Sequence, residues 1–156
     1  MGYDSHRFAP GGPLRLGGVD IPHDRSLAGH SDGDAVAHAI TDAVLGAAGA
    51  GDIGAMFPDT DEANRGRDSL EMLRIATGVV RELGWVVGNV DVTVVTEAPR
   101  IGPHREAMRA ALAPALGVSD DAISIKGKSN EGMGSIGRGE GLACFAVVAL
   151  ARAARA

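Results

Sequence analysis

The segment GHSDGDAVAHAITDA, residues 29–43, sets two histidines and three aspartates among side chains too small to fill a core. His38 follows Asp34 by four positions and precedes Asp42 by four, so on a helix the three share one polar face, with Asp42 placed to orient His38. Upstream, GYDSHRF spaces Asp4 and His6 two residues apart, and on an extended segment both side chains point the same way. Asp4, His6 and His38 together form the donor set of a divalent cation site with an open position, as in catalytic zinc centres. A polar helix face carrying one hydrogen-bonded histidine would use the same letters.

A second group lies in GDIGAMFPDTD, residues 51–61, where Asp52, Asp59 and Asp61 are punctuated by Gly51, Gly54 and Pro58. Aspartates in such loops commonly bond their own backbone. An aromatic among them, Phe57, gives the make-up of a small-ligand site with hydroxyls to hold. GMGSIG, residues 132–137, fits the spacing of a dinucleotide-binding loop, but that fold needs a following helix and an acid about twenty residues on. Here Arg138, Gly139 and Glu140 lead into a strand-like run, so a Rossmann unit is excluded. No G-x-x-x-x-G-K-[ST] loop is present either. The glycine-rich loop beside Lys126, Lys128, Ser129 and Arg138 can still hold phosphates through hydroxyl, backbone and cationic donors.

The elements that must position these groups read as follows. PLRLGGVDI, residues 13–21, is a hairpin broken by Gly17-Gly18. Ser31 or Asp32 caps a helix running to Ala48 and closed by Gly49 and Gly51, with Val36, Ile40, Ala43, Val44 and Ala47 as its packing face. Asp68-Ser-Leu-Glu71 resembles a capping box opening a second helix through Leu83, stopped by Gly84. WVVGNVDVTVV is a strand, Pro103 opens a third helix through Leu116, ISIK is a strand, and 132–141 is a glycine-rich loop. The final run, from Leu142, is a strand with a frayed tail. These elements give one α+β domain, a mixed sheet covered by helices.

Composition narrows the partners. With 156 residues the chain makes one domain with one core, and a net charge of −5 without a basic stripe argues against nucleic acid. Aromatics are scarce and the 23 glycines favour close backbone packing, so association would help stability. Cys144 is the sole cysteine, which fits a buried thiol in a reducing compartment. No signal peptide or membrane span is read, and a cytoplasmic location is expected.

Taken together the blocks resemble the 2-C-methyl-D-erythritol 2,4-cyclodiphosphate synthase family. The matching segments are GYDSHRF, HSDGDAVAHAITDAVLGAAGAGDIGAMFPDTD, NVDVTVV, EAPR followed by PH, and GRGEGLAC. The resemblance implies a homotrimer with active sites between subunits and a zinc-like divalent ion on Asp4, His6 and His38. It implies release of CMP from a cytidine-diphosphate-linked methylerythritol 2-phosphate as the cyclic diphosphate forms. His30 and Ser31 would fix the substrate; Asp52, Ile53, Gly54, Phe57, Pro58, Asp59, Thr60 and Asp61 would line the methylerythritol pocket. The cytidine side would fall on Thr96, Pro99, Arg100, Ile101 and Gly102, with Gly127, Lys128, Ser129, Asn130 and Glu131, from the adjacent subunit. His30 and Ser129 would stabilise the transition state, Arg138 would add a contact, and Glu131 would help hold a second ion, Mg²⁺ or Mn²⁺. Relatives begin a few residues further upstream, so a shortened first strand, with Asp4 and His6 held less firmly, is expected. A metal phosphohydrolase on the same three ligands is the runner-up, and a binding protein without activity the third reading.

Overall fold

A computed structural model of the chain describes residues 1–153; the expected frayed tail falls in part on residues 154–156, outside the described residues. Gly2–Pro10 forms strand β1, followed by β2 (Leu14–Leu16), β3 (Val19–Ile21) and β4 (Arg25–Leu27). Helix α1 spans Ala35–Ala48, the one-turn α2 spans Ile53–Met56, and α3 spans Ser69–Glu82. Then come β5 (Trp85–Val95), α4 (Arg105–Leu116), β6 (Ile123–Lys128), the one-turn α5 (Gly134–Gly137) and β7 (Gly141–Arg152).

Five strands form one sheet in the order β4-β1-β7-β5-β6, and β2-β3 is a separate hairpin. The sheet is mixed as expected: β5 and β6 run parallel, the other pairs antiparallel. The hairpin turns at Gly17 and Gly18, whose φ of +58° and +75° suit the turn that matches strand twist. Strand β1 is not loosened: Gly2 to Arg7 pair in register with Ala146 to Gly141, so Asp4 sits opposite Cys144 and His6 opposite Leu142.

Alternation decides which face is covered. Along β7, Cys144, Ala146 and Val148 are buried beneath the helices, while Phe145 and Val147 point to the open face. Val90, Val92 and Val94 of β5 and Ile123 and Ile125 of β6 join the same core. On β1 the alternation puts Asp4 and His6 on the helix side and Tyr3 on the open side.

Three expectations about α1 are corrected. Its cap is Asp34, not Ser31 or Asp32: the Asp34 carboxylate accepts from the N–H groups of Val36 and Ala37, just past the left-handed turn at Gly33. The same carboxylate accepts from Gly17 N and Gly18 N at 2.8 and 2.6 Å, so Asp34 is fully buried rather than on a polar face with His38. The apolar surface is also wider than one stripe, because α1 lies between the sheet and α3; Leu45 is buried and Ala47 is exposed. The loop expected over 132–141 contains one helical turn, α5.

Candidate functional site

Close approach of α1 to β1 creates the site. A Cβ at Gly2 would lie 1.9 Å from the Ala39 carbonyl oxygen, so only glycine lets the helix settle there. His38 precedes Ala39 on that helix and reaches over β1. Its Nδ1 lies 3.3 Å from Asp4 Oδ2, and His6 Nδ1 approaches the same oxygen at 2.9 Å. One ligand atom from each of Asp4, His6 and His38 falls within 4.8 Å of the others.

Electrostatics favour a cation at this point. Burial pushes the Asp4 carboxyl up, but the imidazoles of His38 and His6 outweigh it and bring its pKa to about 2. Burial disfavours the charged form of His38, yet its contact with Asp4 raises its pKa overall. His6 Nδ1 is buried and makes no hydrogen bond among the described residues in spite of its short distance to Asp4. An orphan ring nitrogen aimed at a carboxylate oxygen is a poor proton donor and a good metal donor. The three residues therefore fit a divalent cation, and two imidazoles with one carboxylate are a zinc-type set.

The far side of His38 is held by hydroxyls. Nε2 lies 3.0 Å from Ser31 Oγ and 2.9 Å from Ser69 Oγ. Asp42, expected to orient His38, instead accepts from Ile53 N at 2.8 Å and anchors the start of α2. In the sequence Ser69 reads as part of a helix start, and nothing local signals a contact with His38.

Beside the triad opens a cavity of about 190 Å³, lined by His6, His38, His30 and Ser31 on one wall and Ile53, Gly54, Phe57 and Asp59 on another. Asn64 and Met72, unforeseen, complete it. His30 Nε2 is buried there without a hydrogen-bond partner among the described residues. Phe57 is buried, and the Arg67 guanidinium lies 5.2 Å from its ring centre. Asp52 and Asp61 act as caps, accepting from Ala55 N and Ala63 N, while Pro58 and Thr60 are exposed in the loop between.

A second cavity, about 410 Å³, brings together Thr96, Pro99, Arg100, Ile101 and Gly102 with Gly127, Lys128 and Ser129. Parallel pairing explains it: Val95 lies beside Lys128, so both strands deliver their following loops to one edge. Glu97 Oε1 fixes the second loop, accepting from Asn130 N at 2.9 Å and Gly132 N at 3.2 Å. Ser129 Oγ donates to Glu131 Oε1 at 2.6 Å, and Glu131 holds a left-handed φ of 50°. The glycines of GMGSIG serve tight packing, since a Cβ at Gly137 would lie 2.1 Å from the Gly132 carbonyl carbon. Arg138 lines neither cavity and pairs with Glu140 at 2.7 Å. The two cavities have no lining residue in common.

Comparison with known proteins agrees with this geometry. The YgbB family model matches residues 1–151. A 2-C-methyl-D-erythritol 2,4-cyclodiphosphate synthase from Gemmatimonas aurantiaca is 62% identical over 150 residues, covering 96% of this chain and 90% of that protein. The structure of the bifunctional IspDF from Campylobacter jejuni superposes with a TM-score of 0.93 at 41% identity, over 97% of this chain and 41% of the larger one. A CDP-bound form of 2C-methyl-D-erythritol-2,4-cyclodiphosphate synthase gives a TM-score of 0.87 at 39% identity, over 96% of this chain and 97% of that one. A mixed-sheet α+β domain, a triad on β1 and α1, and relatives of this name over nearly the whole length lead to one assignment: the chain belongs to the 2-C-methyl-D-erythritol 2,4-cyclodiphosphate synthase family.

Proposed function

We propose that the chain converts 4-diphosphocytidyl-2-C-methyl-D-erythritol 2-phosphate to 2-C-methyl-D-erythritol 2,4-cyclodiphosphate and CMP, a phosphorus–oxygen lyase step of non-mevalonate isoprenoid synthesis in the cytoplasm. The observation that carries this reading is the convergence of Asp4, His6 and His38 beside a cavity that His6 and His38 line together with His30 and Ser31. An oxygen of the 2-phosphate attacks the β-phosphorus, and the bond from that phosphorus to the CMP oxygen breaks. Both groups are anionic, so repulsion and orientation dominate the barrier. A divalent cation on Asp4, His6 and His38, read as zinc, and a second, Mg²⁺ or Mn²⁺, helped by Glu131, supply charge neutralisation and in-line alignment when bound.

The chain's own residues do the rest. His30, with its Nε2 unpartnered, and the Ser31 hydroxyl offer donors to the 2-phosphate side. Ile53, Gly54 and Phe57 supply the apolar wall for the methyl group, and Asp59 takes its hydroxyls, with Asp52 and Asp61 shaping the loop as caps. Thr96 to Gly102 with Gly127 to Glu131 hold the cytidine end, and Ser129 donates to the departing phosphate once it leaves Glu131. Arg138 has no such contact in this chain alone, and its role is read at a neighbouring subunit.

Two separate cavities favour a site shared between subunits of a homotrimer. The open sheet face, with Tyr3, Phe145 and Val147 exposed, supplies apolar surface for that assembly. A CDP-bound relative supports a nucleotide at the second cavity.

The test follows phosphorus by NMR with the cytidine-linked 2-phosphate, with and without chelator. Cyclic diphosphate plus CMP, lost on chelation and in His38→Ala, is expected. CMP with a linear product would favour hydrolysis on the same ligands. A monomeric mass at working concentration would remove the shared site.

A further inference from the structure

His38 is gripped on the side away from Asp4 by groups to which the reaction assigns no role. Ser69, the first residue of α3, is fully buried, and its Oγ lies 2.9 Å from His38 Nε2. The same hydroxyl donates to Asp32 Oδ1, and Ser69 N donates to Asp32 Oδ2 at 3.2 Å. Arg15 Nε, 3.0 Å from Asp32 Oδ2, sets a fixed positive charge behind the carboxylate.

Proton counting along this chain gives one answer. A carboxylate only accepts, so the single hydroxyl proton of Ser69 goes to Asp32. Ser69 Oγ is then left with lone pairs alone toward His38, and Nε2 must carry the proton between them. A neutral imidazole protonated at Nε2 presents a bare lone pair at Nδ1, the atom that faces Asp4 and His6. We infer that Asp32 and Ser69 are positioning residues that fix the ring orientation and tautomer of His38, keeping Nδ1 open for the cation. This rests on the reading of Asp4, His6 and His38 as a metal site.

Ser31 shares in the consequence. Its Oγ lies 3.0 Å from Nε2 and accepts from Gly33 N at 3.3 Å. Since Nε2 has no lone pair to offer, the Ser31 hydroxyl proton is free to point into the cavity, where the 2-phosphate is read.

The amide variant makes a sharp distinction. In Asp32→Asn the amide oxygen stays on the Oδ2 side, beside the Arg15 cation and Ser69 N, while the amide nitrogen takes the Oδ1 side and displaces the contact from Asp34 N at 3.3 Å. The amide nitrogen then faces Ser69 Oγ and donates to it. Ser69 must turn its own proton to His38 Nε2, which moves the ring proton to Nδ1, against the cation.

The experiment measures zinc affinity by competition with a chromophoric chelator, alongside the long-range proton–nitrogen NMR spectrum of the zinc-loaded wild type. Loss of about 10- to 100-fold in Ser69→Ala, an equal or larger loss in Asp32→Asn, and recovery in Ser69→Thr are expected. The spectrum is expected to show His38 protonated at Nε2 and ligated at Nδ1, a result that needs no variant to fold. Wild-type affinity in both Ser69→Ala and Asp32→Asn, or a proton at Nδ1, overturns the inference while leaving the metal site standing. Zinc held as tightly by Asp4→Ala as by the wild type overturns the metal-site reading, and this inference with it.

Discussion

Gly2 lies directly beneath Ala39, so close that a Cβ on the glycine would sit 1.9 Å from the alanine's carbonyl oxygen and 2.7 Å from Ala43 N. The neighbours are helix backbone, which cannot step aside as a flexible side chain could. Gly2→Ala therefore pushes α1 off β1. We expect a loss of about 1–3 kcal/mol in urea unfolding, with weaker zinc binding because Asp4 and His38 separate. An unchanged unfolding midpoint would show that the helix tolerates the methyl group.

Asp34 ties the hairpin to the helix. One oxygen serves Gly17, Val36 and Ala37, and the other serves Gly18. Asp34→Ala leaves buried N–H groups without partners and is expected to cost about 3 kcal/mol or more by urea unfolding. Asp34→Asn keeps one oxygen and opposes a donor to Gly18 N, so its loss should be intermediate. Equal losses in the two variants would contradict this division of labour between the oxygens.

The triad gives stability and metal binding opposite pH trends. In the metal-free protein His38 has a raised pKa, so its pairing with Asp4 contributes fully below 6.5 and is lost as pH rises through the folded value. Asp4, lowered to about 2, keeps its own contribution above 3.8 and loses it only as pH falls through about 2. Thermal midpoints without metal should fall as pH climbs above 6.5, while zinc affinity rises over the same window because protons must leave the ligands. Midpoints that are flat in wild type, or that fall equally in His38→Asn, would count against this pairing.

Glu97 holds the loop that carries Ser129 to Glu131. Its two acceptor contacts are exposed, so Glu97→Ala should change stability by less than about 1 kcal/mol. The expected effect is a several-fold rise in KM for the cytidine-linked substrate, with Glu97→Gln close to wild type because Oε1 is kept. Steady-state kinetics of the two variants provide the check, and an unchanged KM in Glu97→Ala would place the loop's order elsewhere.

What could be read in advance divides along the range of the contacts. The hairpin at Gly17-Gly18, the strand pattern of β5 and the pairing of Asp4 with His6 follow from local periodicity and turn chemistry, and His38 joins them through its spacing from Asp34 and Asp42 on one helix. The Asp34 cap was hidden because Ser31, Asp32 and Asp34 all carry side-chain oxygens suited to the task. Only the backbone of Gly17 and Gly18, distant in sequence, selects Asp34. Asp42 was misplaced for a related reason: helical spacing put it near His38, while the turn into α2 brought Ile53 N to it first. Ser69 and Glu97 act across 31 and 33 residues, and no pattern in a single sequence marks such contacts.

Strand β7 lies between β1 and β5, yet it follows both in chain order. As the polypeptide leaves the ribosome, its first strand and its longest earlier strand must each wait with an unpaired edge until residues 141–152 emerge. The sheet therefore closes late, through contacts of long sequence separation, which slow folding. Until then the nascent chain offers open strand edges to its neighbours. Protection of those two edges during synthesis is what this ordering of strands demands of the cell.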